Sequence, residues 1–154
     1  MSIHPRHLRE LIIRPALRPL GIWSANAEEL LLLTSAQETY LGRYLRQVTM
    51  HGAPDGVGLG IYSMEADTFN WLRAKYTVYI RNNVTAADLI SDLNLATVMA
   101  RLRYLVIREP LPDHKDISGM AHYWHKYYNT RVDDAPDLWR TAVINYERFV
   151  LERF

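Results

Sequence analysis

The residues of this chain whose types and spacing could do chemistry fall in a few short stretches. The least ordinary is "GLGIYSMEADT" at 58–68, with Glu38 of "SAQETY" upstream of it. Gly56, Gly58 and Gly60 alternate, as in loops that cradle phosphate. No strand precedes them and no lysine follows, so the nucleotide motif is incomplete. A surface connection whose glycines permit tight turns explains them better, and the phosphate reading is set aside. His122 and His125 stand three apart, a spacing that can hold a metal on one helix face. No third ligand accompanies them at a matching spacing, so no metal is expected. His51 reads as a solvated loop histidine. The aromatic run "YWHKYY" at 123–128 can stack on sugar rings or on a partner, or supply a core and one helix face. Arg101, Arg103 and Arg108 read as a solvated helix face. The chain has no cysteine, which excludes disulfides and thiolate metal sites. Nothing indicates a cofactor.

The elements that must position these residues are helices. A length of 154 residues is the size of one domain, able to bury a core without staples. With 18 basic and 17 acidic residues, the balance points to neither nucleic acid nor an acidic membrane surface. Charges interrupt every apolar stretch of "MSIHPRHLRELIIRPALRPLGIW", so it lacks the continuous core of a signal peptide or a membrane span.

The periodicity predicts a first helix over 5–20, kinked or ended by Pro15 and Pro19. A second begins near Asn26, with Glu29 as its capping partner, and continues through "LLLLTSAQETYLGRYL", where an all-round leucine run implies burial. "TMHGAPDGVGLG" holds four glycines and a proline in twelve residues, a loop or short β-excursion. A third helix is expected from Ser63 toward Ile80. The pair Thr85 and Asp88 caps a fourth segment that breaks near Asp92. Its second part carries the stripe Leu95, Val98, Met99, Leu102, Leu105 and Val106, and Pro110 and Pro112 close it. Asp116 opens the next helix, and Asp134 with Pro136 the last. The fold class is mainly α, one domain over 1–154, with six or seven helices and no internal repeat.

The order of these features resembles the lytic transglycosylase and goose-type lysozyme superfamily. That family carries a catalytic glutamate in an "ES" dipeptide at a helix end, for which "QET" with Glu38 stands here. It continues with glycine, leucine, methionine, glutamine, two variable residues, proline, any residue and threonine, matched by Gly60, Ile61, Tyr62, Ser63, Met64, Glu65, Ala66, Asp67 and Thr68. Asn94 and "RYL" at 103–105 match a later asparagine and a helix ending in tyrosine and leucine. "YYN" at 127–129 matches a final tyrosine and asparagine. The likeness covers 28 to 130 and looks closest to virion-associated proteins of tailed phages, with their "GxYxMExxT" segment. Ser63 departs from the usual glutamine, Ala66 from the proline and Thr39 from the serine.

The resemblance implies a lysozyme-like core over 26–130, with a glycine-rich loop and flanking helices at 1–25 and 131–154 available for assembly contacts. It implies Glu38 as the general acid of a peptidoglycan-cleaving lytic transglycosylase or muramidase. Gly60, Tyr62, Ser63, Tyr128 and Asn129 would contact substrate, with Tyr123 replacing Tyr128 if the alignment slips by one turn. Such an acid must keep its proton near neutral pH, and the apolar flanks Leu31 to Leu33, Tyr40 and Leu41 favour that. A transglycosylase needs no second carboxylate, because the substrate's own C6 hydroxyl completes the reaction. A hydrolase would draw on Asp55, Glu65 or Asp67. The expected partners are glycan strands of peptidoglycan and other virion proteins, in a homo-oligomer within a phage tail or neck. Neither nucleic acid nor membrane is expected. The alternative is a virion structural protein of neck, tail or baseplate that keeps the fold without catalysis.

Overall fold

Four consecutive leucines cannot share one face of a helix, so a helix that carries them has to be covered on every side. The computed structural model of the chain describes residues 2–47, 57–129 and 135–153, and it places Leu30, Leu31, Leu32 and Leu33 all at 0% exposure. They belong to α3 (Ala25–Thr39), whose N-terminus is capped by Ser24: its hydroxyl accepts from the Ala27 N–H at 3.0 Å. The cap is thus Ser24 in place of Asn26, whose side chain instead accepts from the His114 N–H at 2.9 Å.

Around α3 lie α5 (Leu93–Leu105), α6 (Ile117–Tyr127), α7 (Leu138–Phe149) and a helical path over residues 5–20. That path comprises α1 (Pro5–His7), a π-helical stretch Leu8–Ile13, α2 (Arg14–Leu17) and a 3-10 turn Arg18–Leu20. Pro15 has no N–H to give, and its ring would press on a carbonyl in the α register. The wider π turns relieve this, with the Arg14 N–H reaching the Arg9 carbonyl. The prolines therefore bend the path without ending it before Leu20.

The remaining helix, α4 (Ala66–Lys75), starts three residues after Ser63 because Ser63 is spent in a turn at φ 53°. It stops at Lys75, and a separate 3-10 turn, Thr77–Tyr79, follows. The capping pair Thr85 and Asp88 is present on the 3-10 turn Ala86–Leu89. Asp92 then caps α5, accepting from the Leu95 N–H at 2.9 Å, so the break near Asp92 is where periodicity put it. Asp116 caps α6 through the Gly119 N–H at 2.9 Å. The last helix begins after Asp137; Asp134 lies outside the described residues. The chain is mainly helical. Among the described residues the only extended pairing is two isolated antiparallel bridges, Arg46 with Leu59 and Leu59 with Met64.

The terminal helices are part of the core. From α7, Tyr146 is buried and its hydroxyl donates to Glu29 at 2.7 Å, Phe149 stacks on Tyr40 at 5.1 Å, and Trp139 stacks on His122 at 4.1 Å. Trp139, Tyr146 and Phe149 are thus turned onto the domain. At the other end Glu28 is only 4% exposed. Such a carboxylate is costly to bury unless it is paired. Arg14 supplies Nε at 2.7 Å and Nη2 at 3.2 Å, and Trp23 donates its indole N–H at 3.0 Å. Arg9 stands 3.5 Å from Glu28 and also bonds Glu29. The hydrogen bond to Glu28 in turn raises the Arg14 guanidinium above its ordinary pKa.

Breaking a buried pair by removing one partner leaves the other uncompensated. Glu28→Ala is expected to destabilise the fold by about 3 kcal/mol, read by urea denaturation. A change below about 1 kcal/mol would show that the network is not what docks residues 5–20.

Candidate active site

Where α3 runs out of cover, its last turn presents Glu38. The helix stops one residue later because Tyr40 and Leu41 both adopt left-handed backbone, at φ 53° and 56°, followed by Gly42 at 78°. Non-glycine residues rarely take this conformation, and each costs about 1–2 kcal/mol. Three interactions hold the reversal. Leu41 is buried, its carbonyl accepts from the Ile3 N–H at 2.8 Å, and the Ser2 hydroxyl donates to the Tyr40 carbonyl at 2.7 Å. Strain of this kind gathers where geometry serves a purpose beyond packing.

Thr39 joins this helix end to the segment after Gly60. Its buried hydroxyl donates to the Ile61 carbonyl at 2.7 Å and accepts from the Gly42 N–H at 3.0 Å. The segment itself is a tight turn. Leu59 and Met64 exchange both backbone hydrogen bonds, at 2.9 and 3.0 Å, and the Ser63 N–H reaches the Gly60 carbonyl at 3.0 Å. A third short run joins, with the Gln47 N–H on the Gly58 carbonyl at 2.9 Å and the Gly60 N–H on the Leu45 carbonyl at 2.8 Å. Residues 48–56, most of the stretch read as a loop or short β-excursion, lie outside the described residues, with His51 and Asp55. Gly60 is required twice over: its φ is +77°, and a Cβ there would lie 2.3 Å from the Leu89 carbonyl oxygen.

Together these elements enclose a cleft of about 180 Å³, lined by Glu38, Gln47, Gly58, Ser63, Met64, Glu65, Thr68, Arg103, Tyr128 and Asn129. Four of the residues singled out from the sequence, Glu38, Ser63, Tyr128 and Asn129, therefore share one wall. Two others do not reach it with a side chain. Tyr62 is 1% exposed, with its hydroxyl 2.9 Å from Thr97 Oγ1 inside the core. Gly60 is buried beneath the turn. Both act as floor: the Tyr128 hydroxyl donates to the Tyr62 carbonyl at 2.7 Å, which fixes the ring at the cleft edge. Tyr123 faces elsewhere, donating to the Glu109 carbonyl at 2.9 Å. Asn94 lies at a different surface pocket, with Pro15, Leu20 and Val98.

Glu38 is half-buried, and the indole N–H of the fully buried Trp124 donates to its Oε1 at 3.2 Å. Burial pushes the hydroxyls of Tyr104 and Tyr128 well above their ordinary range, and the nearby Glu38 charge adds to the rise. Tyr104 is held by Thr34, 2.7 Å away, and its ring packs at a tilt against that of Tyr128, 5.2 Å between centroids. The carboxylate is thus held by Trp124, sits near the rings of Tyr104 and Tyr128, and lines the cleft.

Trp124, Gln47, Thr68 and Arg103 were not singled out as cleft residues. Trp124 was inferable, since it precedes Tyr128 by four positions and so shares its helix face. Arg103 was read as part of a solvated face with Arg101 and Arg108. Only Arg108 is exposed; Arg101 is half-buried, with its Nε on the Ile22 carbonyl at 2.8 Å, and Arg103 lines the cleft. Of the second carboxylates considered, Glu65 lines the cleft and Asp67 is not among its lining residues. No group of three metal-binding side chains occurs among the described residues, and His122 instead contacts the Ser118 carbonyl at 2.8 Å.

No protein-family model, curated protein or solved structure matches this chain, so the site has to be tested on its own residues. Thr39→Val keeps the shape but leaves the Gly42 N–H and the Ile61 carbonyl without a partner, and should cost about 2 kcal/mol in chemical denaturation. Gly60→Ala is expected to cost at least about 1 kcal/mol more than Gly21→Ala. Gly21 shares the positive φ, at 71°, but has nothing within 4 Å of its Cβ position. Equal losses in thermal melts would mean that the close approach to Leu89 does not constrain the turn.

Proposed function

We propose that this protein cleaves the glycan strands of peptidoglycan, with Glu38 as general acid. The observation that carries the reading is the placement of one half-buried carboxylate, backed by Trp124, Tyr104 and Tyr128, at the mouth of a polar cleft. A polysaccharide is recognised through hydroxyl and acetamido groups. Gln47, Ser63, Thr68 and Asn129 supply donors and acceptors for these along the cleft, and Tyr128 offers an aromatic edge.

In this mechanism Glu38 protonates the oxygen of a β-1,4 bond as the anomeric carbon gains positive charge. The bond to the leaving sugar breaks, and the resulting carboxylate takes a proton from the incoming nucleophile. When that nucleophile is the C6 hydroxyl of the same sugar, the product is an anhydro ring and no second carboxylate is needed. When it is water, Glu65 is the cleft carboxylate available to orient it. The resemblance of "QET" and "GIYSMEADT" to lysozyme-like segments supports the same chemistry, and placement in a phage particle that opens the wall during infection rests on that resemblance alone.

Glu38→Gln preserves size and removes the transferable proton. Zymography on peptidoglycan should show cleavage by the parent protein and a loss of about two to four orders of magnitude in the variant, with folding unchanged. A parent protein that releases nothing from peptidoglycan favours a structural virion component instead.

A further inference from the structure

We propose that Arg103 is the specificity residue of the cleft and binds a carboxylate carried by the muramyl half of the glycan. This rests on the glycan-cleaving reading above and deepens it by naming which sugar the cleft selects. The half-buried Arg103 lines the same cleft as Glu38, Ser63, Tyr128 and Asn129. Among the described residues, no side-chain hydrogen bond or ion pair of Arg103 is found, whereas Glu28 and Glu29 hold Arg9 and Arg14. The other half-buried arginines among the described residues are engaged: Arg9 and Arg14 by Glu28 and Glu29, Arg73 by the Val84 carbonyl at 2.7 Å, and Arg101 by the Ile22 carbonyl.

An arginine in a polar cleft whose fork meets no carboxylate among the described residues is suited to a planar anion. The guanidinium offers paired N–H donors that match a carboxylate bidentately, a geometry that a point charge such as lysine does not reproduce. Its position is fixed by α5, since the flanking Leu102 and Tyr104 are both buried. Arg103 also lies close enough to Tyr104 and Tyr128 for its charge to act on both hydroxyls, the same two that feel Glu38. The cation and the acid thus stand around one pair of aromatic rings. Of the two alternating sugars, only the muramyl residue carries an acid: the lactyl carboxylate when unsubstituted, or the carboxylates of its stem peptide. N-acetylglucosamine carries none. A cation beside the acid therefore fixes which of the two glycosidic linkages is presented to Glu38.

The test is ligand binding by the full chain carrying Glu38→Gln, followed by the indole N–H resonance of Trp124 in ¹⁵N spectra. Three probes separate the sources of charge: N-acetylmuramic acid with a free lactyl carboxylate, muramyl dipeptide with the carboxylate on the peptide, and triacetylchitotriose with none. Adding Arg103→Met should weaken at least one muramyl ligand by about tenfold or more, and leave chitotriose affinity and the melting temperature unchanged. Which muramyl ligand responds identifies the carboxylate. Arg103→Lys should recover only part of the loss. Equal weakening of chitotriose and muramyl ligands, or no weakening of either, overturns the role of Arg103 while leaving the glycan site standing. Failure of all three probes to bind the protein with Arg103 intact removes the glycan reading itself, and the Arg103 role with it.

Discussion

Burying α3 on every side is the constraint from which the rest of the molecule follows. A helix carrying Leu30 to Leu33 at zero exposure has no flank left for solvent, so α5, α6, α7 and the path over 5–20 have to wrap it. Burial of this kind is worth roughly 1.5–3 kcal/mol per large aliphatic side chain. It also fixes where function can sit. A fully covered helix can offer chemistry only at an end, and the C-terminal end is where Glu38 emerges. The N-terminal end is closed by Glu28 and its arginines, which tie the opening segment of the chain to the same helix.

The second consequence is rigidity around the acid. The chain reverses through three successive left-handed residues, Tyr40, Leu41 and Gly42, a conformation that local preferences oppose. It persists because tertiary contacts from both sides hold it: Ser2 and Ile3 from the N-terminus, Phe149 from α7, and the Thr39 hydroxyl bridging to Ile61. Through Thr39 the position of Glu38 and the position of the 58–64 turn become a single setting. A carboxylate on a clamped helix end that also accepts from the Trp124 indole has the preorganisation that the proposed role of Glu38 calls for.

Much of this was legible in the sequence, and the misses have physical causes. The leucine run announced a buried helix, and the capping signals at Thr85 and Asp116 and the break at Asp92 are where side chains do cap backbone. Helix ends set by tertiary contact were not legible. "TYLGRYL" has helical spacing, yet α3 stops at Thr39 because the chain is pulled back by contacts with residues 2 and 3. Ser63 looks like a helix cap and is instead a left-handed turn residue, held by the pairing of Leu59 with Met64. In the cleft, Glu38, Ser63, Tyr128 and Asn129 are lining residues. Tyr62 is not, because the same "GIY" that marks the turn also needs an anchor, and a tyrosine with Thr97 to bond fills that core position. Arg103 was misread because three arginines near one another suggest a wet face, whereas α5 turns Arg103 about 200° away from Arg101 and Arg108 lies beyond the helix end at Leu105.

The account's central claim is that Glu38, in the lining of the cleft, meets a glycosidic oxygen. A crystal structure of the Glu38→Gln protein soaked with a peptidoglycan tetrasaccharide tests this most directly. The account predicts the saccharide along Gln47, Ser63, Thr68 and Asn129, with one bridging oxygen about 3 Å from the side-chain amide at position 38. A saccharide bound elsewhere on the surface, or one that reaches the cleft with every glycosidic oxygen beyond hydrogen-bond reach of position 38, would contradict it.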